Sequence, residues 1–126
     1  MNKVIYTKNA PEAIGPYSQA YLCNDTLYCS GQIAIDPTTN TFINGDITEQ
    51  TNQIMKNIKG LLNAAGFDFY DVVKTTCFLK NMSDFQIFNE IYAKHFTSKP
   101  ARSCVAAAQL PKDALVEIEV IAIKAQ

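Results

Sequence analysis

The spacing of apolar residues first predicts strands. Short apolar runs at 3–7, 17–23 and 26–35 alternate or cluster as strands do, and the first of them is predicted to lie at an edge. The second and third runs flank Asn24-Asp25, a dipeptide typical of tight turns, so they predict a hairpin. A further turn is predicted over 36–40, where the sequence is DPTTN.

The apolar period then lengthens to that of a helix from Thr48 onward. The stripe consists of Ile54, Met55, Ile58, Leu61, Leu62 and Ala65. Gly66 follows it and indicates the end of this helix. A second helix is predicted over 84–96, with Ser83 and Gln86 as its capping box. Its inward residues are predicted to be Phe85, Phe88, Tyr92 and Phe96.

Three more strands complete the pattern, over 71–80, near 102–107 and over 115–124. The element order β-β-β-α-β-α-β-β favours an α+β fold, a sheet with both helices on one face. The other face of the sheet would be left uncovered. Because an apolar sheet face is costly to leave in water, we expect another subunit to cover it.

Charged residues interrupt the last two strands. Alternation places Glu117 and Glu119 on one face of the final strand. If residues 107–114 connect an antiparallel hairpin, position 104 pairs with 117 and position 102 with 119, so that Arg102 and Cys104 face the two glutamates. Two interpretations remain open. In the first, the residues form a structural cross-strand ion pair. In the second, they form a site for a small carboxylate, in which the guanidinium makes a bidentate contact with the ligand and a nearby glutamate accepts a proton.

Composition and charge narrow the class of protein. The 126 residues predict a single domain over 1–126, with 48% hydrophobic and 18% charged residues. A net charge of -1 and the lack of a basic run make nucleic acid and anionic membranes poor partners. The first twenty residues contain no apolar run of signal-peptide length, so we expect a cytoplasmic protein.

Cysteine and histidine usage points away from metal binding. Cys23, Cys29, Cys77 and Cys104 include no C-x-x-C pair and are expected to be reduced thiols. With His95 as the one histidine, we predict no metal site. Cys104 could serve as a nucleophile, but no Cys/His/Asn pattern accompanies it, and a small buried side chain is the favoured interpretation.

Several segments together resemble the RidA (YjgF) family of imine deaminases. They are IGPYSQA at 14–20, YCSGQIAIDP at 28–37, AAGFDFYDVVKTTCFL at 64–79, FNEIYAKHF at 88–96, PARSCV at 100–105 and LPKDALVEIEVIA at 110–122. The resemblance covers nearly the whole chain in the same element order. It implies the chorismate-mutase-like fold, in which three copies assemble into a homotrimer around a central barrel of sheets, with active sites between subunits.

The resemblance also implies a reaction. Family members typically hydrolyse small 2-imino acids, such as 2-iminobutanoate and 2-iminopropanoate, to 2-keto acids and ammonia without a cofactor. These imines arise from pyridoxal-phosphate enzymes and damage other such enzymes if left to accumulate. The alternatives are a non-catalytic carboxylate-binding protein of the same fold, or a structural or chaperone-like trimer with Arg102 and Glu117 in an interface salt bridge.

Matching the motifs residue by residue assigns the expected roles. Arg102 matches the arginine that binds the substrate carboxylate, and Glu117 matches the acidic residue that orients the attacking water. The other expected site positions are Tyr17, Ser30, Gly31, Asn89 and Cys104. Glu119 receives no catalytic role from the resemblance. From the residues alone, Tyr17 and Asn89 would be packing and solvated positions, and Ser30-Gly31 a strand irregularity.

Overall fold

The computed structural model describes residues 2–125 and contains the predicted elements in their predicted order, with two further short strands before the first helix. The strands are β1 Asn2–Ile5, β2 Ala20–Cys23, β3 Thr26–Gln32, β4 Ile35–Asp36, β5 Thr41–Phe42, β6 Val72–Leu79, β7 Ala101–Ala106 and β8 Val116–Ile123. The helices are α1 Ile47–Ala64 and α2 Phe85–His95. Each predicted strand and helix is present within a few residues of its expected bounds. The short β4 and β5 form a separate ribbon around the predicted turn at 36–40.

The main sheet has six strands in the order β1-β2-β3-β8-β6-β7. The predicted hairpin at Asn24-Asp25 joins β2 to β3, and Asn24 adopts the left-handed conformation that such turns favour, with φ of 54°. All neighbouring strands are antiparallel except β6 and β7, which run parallel. The sheet is therefore mixed, and β1 lies at its edge as predicted.

The predicted pairing of β7 with β8 is wrong. β8 lies between β3 and β6, while β7 pairs with the far side of β6, so that Arg102 is opposite Thr75 and Cys104 is opposite Cys77. The reason is the crossover through α2, since a strand, a helix and a following strand pack most readily as a parallel pair. The segment after β7 then crosses β6 before β8 begins. Arg102 and Cys104 consequently do not face Glu117 and Glu119.

Helix α1 begins and ends on strong local signals. Asp46 caps it by accepting from the Glu49 backbone N–H at 2.9 Å, and the Glu49 carboxylate accepts from the Asp46 N–H at 3.4 Å. At the other end Gly66 takes φ of 80°, and Phe67 N–H donates to the Leu62 carbonyl at 2.8 Å. The predicted stop at Gly66 is confirmed as a Schellman turn.

Helix α2 begins differently from the prediction. A short 3-10 turn over Met82–Asp84 precedes it, and the capping residue Asp84 makes no side-chain cap hydrogen bond. The predicted Ser83–Gln86 capping box is therefore wrong. The turn already supplies carbonyl acceptors, since Asp84 N–H donates to Asn81 at 3.1 Å and Phe85 N–H donates to Met82. The helix start needs no side chain to satisfy these donors.

Both helices cover one face of the sheet. On β8 the residues Val116, Ile118 and Val120 are at most 1% exposed and belong to the same core cluster as the apolar stripe of α1. Helix α2 adds Phe88, Ile91 and Tyr92 to this core. Neither helix within residues 2–125 combines the length and the apolarity that crossing a bilayer would require.

The opposite face of the sheet is open to solvent in one chain, as the sequence predicts. Tyr21, Tyr28, Val105 and Ile123 on this open face each expose between 43% and 50% of their surface. Their strand partners, including Ile121 and Phe78, are half-buried on the same face. Exposed apolar area of this extent is typical of a surface that contacts another molecule.

Candidate active site

Glu117 lies in the middle of β8 and points to the open face. Its neighbours Val116 and Ile118 are fully buried on the helix side, so alternation directs the glutamate away from the core. Phe78 of β6 is directly opposite it on the same face. The side chain is half-buried although it carries a carboxylate. A carboxylate that is partly removed from water is a candidate for proton chemistry.

A bulge in β3 brings its backbone against this glutamate. Cys29 pairs with Val120 and Gln32 with Ile118, so Ser30 and Gly31 together oppose the single residue Glu119. A Cβ on Gly31 would overlap the Glu117 carboxylate and would lie 3.0 Å from its Cδ. Gly31 is thus the strand irregularity expected from sequence, and it also permits close approach of the two segments.

The bulge also holds the loop that carries Tyr17. Ser30 Oγ donates to the Ser18 carbonyl at 2.6 Å, and Ser30 N–H donates to the Gln19 carbonyl at 3.0 Å. The buried Gln19 amide donates to the carbonyls of Thr7, Ala10 and Pro11 and accepts from Thr7 N–H. Tyr17 itself stays 51% exposed. Ser30 therefore uses its proton within the chain and can offer only an acceptor to a ligand.

Four of the predicted site residues line one cavity of about 410 Å³. They are Tyr17, Ser30, Gly31 and Glu117. Glu119, to which the resemblance assigns no catalytic role, and Lys112, which the sequence did not single out, line it as well. The apolar residues that line it are Pro11, Ile14, Ile33, Ile35 and Pro111. The cavity therefore combines a small number of charged groups with apolar surface, as ligand sites commonly do.

The charge state of Glu117 follows from its surroundings. Burial raises the pKa of this carboxyl above its ordinary value, and repulsion from Glu119 raises it further. Within residues 2–125, no cation forms an ion pair with Glu117; the ion pairs join Lys80 to Asp113 and Lys124 to Asp71. A carboxylate with a raised pKa is a stronger base than an ordinary glutamate.

Arg102 lies on the other face of the sheet, against α2. Its Nη1 donates to Asn89 Oδ1 at 2.7 Å, and its Cζ is 4.7 Å from the Tyr92 ring centroid and 5.4 Å from that of Phe85. Arg102, Asn89 and Tyr92 line a second cavity, of about 560 Å³. Asn89 and Arg102 are both predicted site residues. In the structure they contact each other within one chain, so Asn89 binds the arginine directly.

Cys104 follows Arg102 on the same side of β7 and is half-buried beside Cys77. Burial raises the pKa of the Cys104 thiol, and Arg102 only partly opposes this shift. Because the thiolate is the nucleophilic form, a raised pKa disfavours covalent catalysis. All four cysteines are free, and residues 2–125 contain no cluster of three or more metal-ligating side chains.

Sequence reasoning missed three contributors to these cavities. Tyr92 was expected only as a core residue, and its position beneath Arg102 depends on the β6–β7 pairing. Lys112 takes an unusual left-handed conformation with φ of 58°, and the following Asp113 has φ of 54°. Lys112 carries no sequence signal for that geometry, whereas aspartate, like asparagine, is enriched among the non-glycine residues that adopt it. Gln19 is a buried polar residue immediately before β2. Its burial is explained by the four hydrogen bonds of its side-chain amide, which the sequence does not reveal.

The fold and these cavities define an α+β protein with a half-buried carboxylate on one face of its sheet and, on the other, an arginine that forms no ion pair within residues 2–125. The family model described as "Endoribonuclease L-PSP", which represents the RidA (YjgF) family, matches residues 7–124. This chain belongs to that family.

Individual relatives agree with the assignment. A RutC family protein of Pyrococcus horikoshii is 53% identical over 98% of this chain and 99% of its own length. The human 2-iminobutanoate/2-iminopropanoate deaminase is 47% identical over 98% of this chain and 91% of its own length. A solved Thermotoga maritima structure, described as that of a candidate endoribonuclease, superposes with a TM-score of 0.97 at 46% identity and covers 100% of both chains.

Proposed function

We propose that this protein hydrolyses small 2-imino acids, including 2-iminobutanoate and 2-iminopropanoate, to 2-keto acids and ammonia in the cytoplasm. The observation that carries the proposal is Glu117, a half-buried carboxylate with a raised pKa in a cavity large enough for such a substrate. The name of the human relative supports the same reaction. The physiological role would be to protect pyridoxal-phosphate enzymes from their own reactive by-products.

The chemistry of imine hydrolysis suits these residues. Water adds to the electrophilic carbon of the protonated imine while Glu117 accepts one of its protons. The resulting carbinolamine receives that proton on nitrogen. Glu117 then accepts the hydroxyl proton as the C=O bond forms and the C–N bond breaks, so that a 2-keto acid and ammonia leave, and the proton on Glu117 passes to the ammonia as ammonium forms. A positioned base of this kind contributes about 10²–10⁴-fold. Gly31 favours the reaction indirectly, because its missing side chain leaves room for the carboxylate.

Arg102 would bind the substrate carboxylate, and this requires a second copy of the chain. Glu117 and Arg102 line different cavities on opposite faces of one sheet. In the proposed homotrimer the open faces would pack together as a central barrel, and Arg102 of one subunit would meet Glu117 of the next. The exposed apolar side chains of the open face provide a surface for such an assembly.

RNA cleavage, which the family description names, fits this site poorly. Glu117 and Glu119 lie in the same cavity, and the net charge of the chain is -1. A phosphodiester substrate would approach three carboxylates, Glu12 included, with Lys112 as the one cation among the lining residues, rather than a basic surface. The same cavity is compatible with a neutral or cationic imine group.

A coupled assay tests the proposal. Threonine dehydratase or an amino-acid oxidase generates the imine in the presence of this protein, and ammonia release and semicarbazide trapping of the imine are followed. We expect faster ammonia release and less trapped imine than without the protein. Unchanged kinetics with both imine sources would overturn the proposal, and cleavage of a single-stranded RNA in parallel samples would replace it with the nuclease activity.

A mixing experiment tests the shared site. Arg102→Ala and Glu117→Gln chains are refolded separately and then together in equal amounts. In a trimer with three equivalent sites, about one site in four receives both intact residues, so about a quarter of the wild-type activity should return. Light scattering should give a mass near three times 14.0 kDa. A mixture as inactive as the separate variants would place both residues in a site within one chain.

A further inference from the structure

The guanidinium of Arg102 rests on a stripe of three α2 residues. Phe85, Asn89 and Tyr92 are spaced at i, i+4 and i+7, so they share one face of the helix. The two rings lie 5.4 Å and 4.7 Å from Cζ, within cation–π range, and the amide oxygen accepts one N–H at 2.7 Å. The side chain is thus held by contacts that differ in kind from an ion pair.

No carboxylate within residues 2–125 forms an ion pair with Arg102; the ion pairs there belong to Lys80 with Asp113 and Lys124 with Asp71. This matters for ligand binding, because an internal carboxylate would occupy the same N–H donors that a substrate carboxylate needs. Aromatic rings attract the cation through their π-faces and bring no carboxylate oxygen to its N–H donors. Asn89 accepts one N–H at 2.7 Å, and within residues 2–125 no other side chain accepts from the guanidinium, so its remaining donors can bind a ligand.

Tyr92 is itself fixed on several sides. Its hydroxyl lies 2.7 Å from Thr75 Oγ1, and both residues are buried. Its ring packs at 4.4 Å from Phe96 and 5.7 Å from Phe88, measured between centroids. Thr75 is also the β6 partner of Arg102 in the sheet. The arginine is therefore attached to the same rigid unit through its backbone and through its guanidinium.

We propose that Phe85 and Tyr92 are positioning residues that hold the Arg102 guanidinium, without neutralising it, in the orientation that recognises a substrate carboxylate. This inference rests on the proposed function for the identity of the ligand. It assigns the residues no contact with the substrate. Their effect should appear in carboxylate affinity rather than in the chemical step.

Phe85→Leu tests the proposal, because it removes a ring while it keeps an apolar side chain at a half-buried site. We expect the KM for the imine and the Kd of the product 2-oxobutanoate to rise together by about two- to fivefold with kcat unchanged. Phe69→Leu is the matched control, since Phe69 is also a partly buried aromatic but packs on His95 and Phe96. Equal affinity for 2-oxobutanoate in both variants and the wild type would overturn the proposal.

Tyr92→Phe separates positioning from stability. This change keeps the ring under Arg102 but removes the hydrogen bond to Thr75, so the melting temperature should fall while 2-oxobutanoate affinity is kept. A large loss of affinity in Tyr92→Phe, with none in Phe85→Leu, would assign the effect to the hydroxyl and contradict the proposal.

The same titration distinguishes the two levels of inference. If the wild-type protein binds 2-oxobutanoate but hydrolyses no imine, the proposed function is refuted. Weaker 2-oxobutanoate binding by Phe85→Leu would in that case still support the positioning role. A wild-type protein that binds no 2-keto acid overturns the positioning role as well. The NMR signals of the Arg102 side chain provide a direct check, since ring-current shifts should decrease in Phe85→Leu but not in Phe69→Leu.

Discussion

The two main charged side chains of the candidate site, Glu117 and Arg102, lie on opposite faces of the sheet and differ in what surrounds them. The glutamate lies on the open face, close to a second carboxylate, and burial together with that neighbour raises its pKa. The arginine lies against α2, where two rings and an amide hold it. Neither has a countercharge within residues 2–125. The sequence predicted a hairpin with Arg102 opposite Glu119 and Glu117 opposite Cys104, in which the guanidinium would have neutralised the carboxylates. Because Arg102 and Glu117 instead lie on opposite faces, both remain available to a ligand.

The largest effect should come from removing the basic group on the Glu117 side. Glu117→Gln keeps the shape of the side chain but cannot accept a proton, so kcat for imine hydrolysis should fall by about 10²–10⁴-fold. The affinity for 2-oxobutanoate should change little. Glu119→Gln is the matched control on the same strand and should retain most activity. The reverse result for the two glutamates would show that the carried-over role belongs to Glu119.

On the opposite side, Arg102→Ala should abolish carboxylate binding. The loss in kcat/KM should be about 10²-fold or more, because the charged, two-pronged contact disappears. Arg102→Lys should restore little, since an ammonium cannot reproduce the planar geometry. Circular dichroism and light scattering should show a folded oligomer in both cases. Near-normal kcat/KM in the alanine variant would refute the assigned role.

Gly31→Ala should disturb the Glu117 side without changing any charge. The added methyl would overlap the Glu117 carboxylate, and displacement of a catalytic group by about 1 Å can cost about 10²-fold in rate. Gly66→Ala is the control, because no atom lies within 4 Å of the added Cβ and the cost arises from φ of 80°. That variant should lose about 1 kcal/mol of stability and keep kcat. Equal kcat in the two variants would contradict the steric argument.

The smallest effect concerns pH. Because the pKa of Glu117 is raised in the ligand-free protein, the acid limb of the kcat/KM profile should lie above the ordinary pKa of a glutamate. Glu119→Gln removes the repulsion from Glu119, which is the smaller cause of the raised pKa, so the acid limb should shift toward lower pH but remain above the ordinary pKa of a glutamate.

The raised pKa of Glu117 also makes stability depend on pH. The stability contributed by protonated Glu117 is fully present below its unfolded-state pKa and is lost as pH rises through its folded-state pKa. Urea unfolding of wild type and Glu117→Gln across this range measures that loss.

Local structure was predictable from local signals. The apolar period of α1, the Asn24-Asp25 turn and Gly66 each specify a conformation through neighbouring residues, and the structure confirms all three. The uncovered face was also predictable, because it follows from the number and order of elements. The capping of α2 was not, since a 3-10 turn satisfied the donors that Ser83 and Gln86 were expected to satisfy.

Strand neighbours were harder to predict, and the candidate site depends on them. The sequences of β7 and β8 do not indicate that β6 lies between them, because this strand order is determined by the α2 crossover and by long-range packing. The expected roles of Tyr17, Asn89 and Cys104 came from resemblance and stay predictions. The position of Arg102 over Tyr92 required knowledge that Thr75, rather than Glu119, is the cross-strand partner of the arginine.

The central position of β8 has a consequence for how the chain folds. β8 follows every other strand in sequence, yet it pairs with both β3 and β6. Until it docks, β1-β2-β3 and β6-α2-β7 are two local units with unpaired edges, and joining them requires contacts between distant parts of the chain. During synthesis, the arginine and its aromatic support can therefore form before β8 docks. The proposed base arrives with the strand that closes the sheet, so catalysis would begin only when folding is complete.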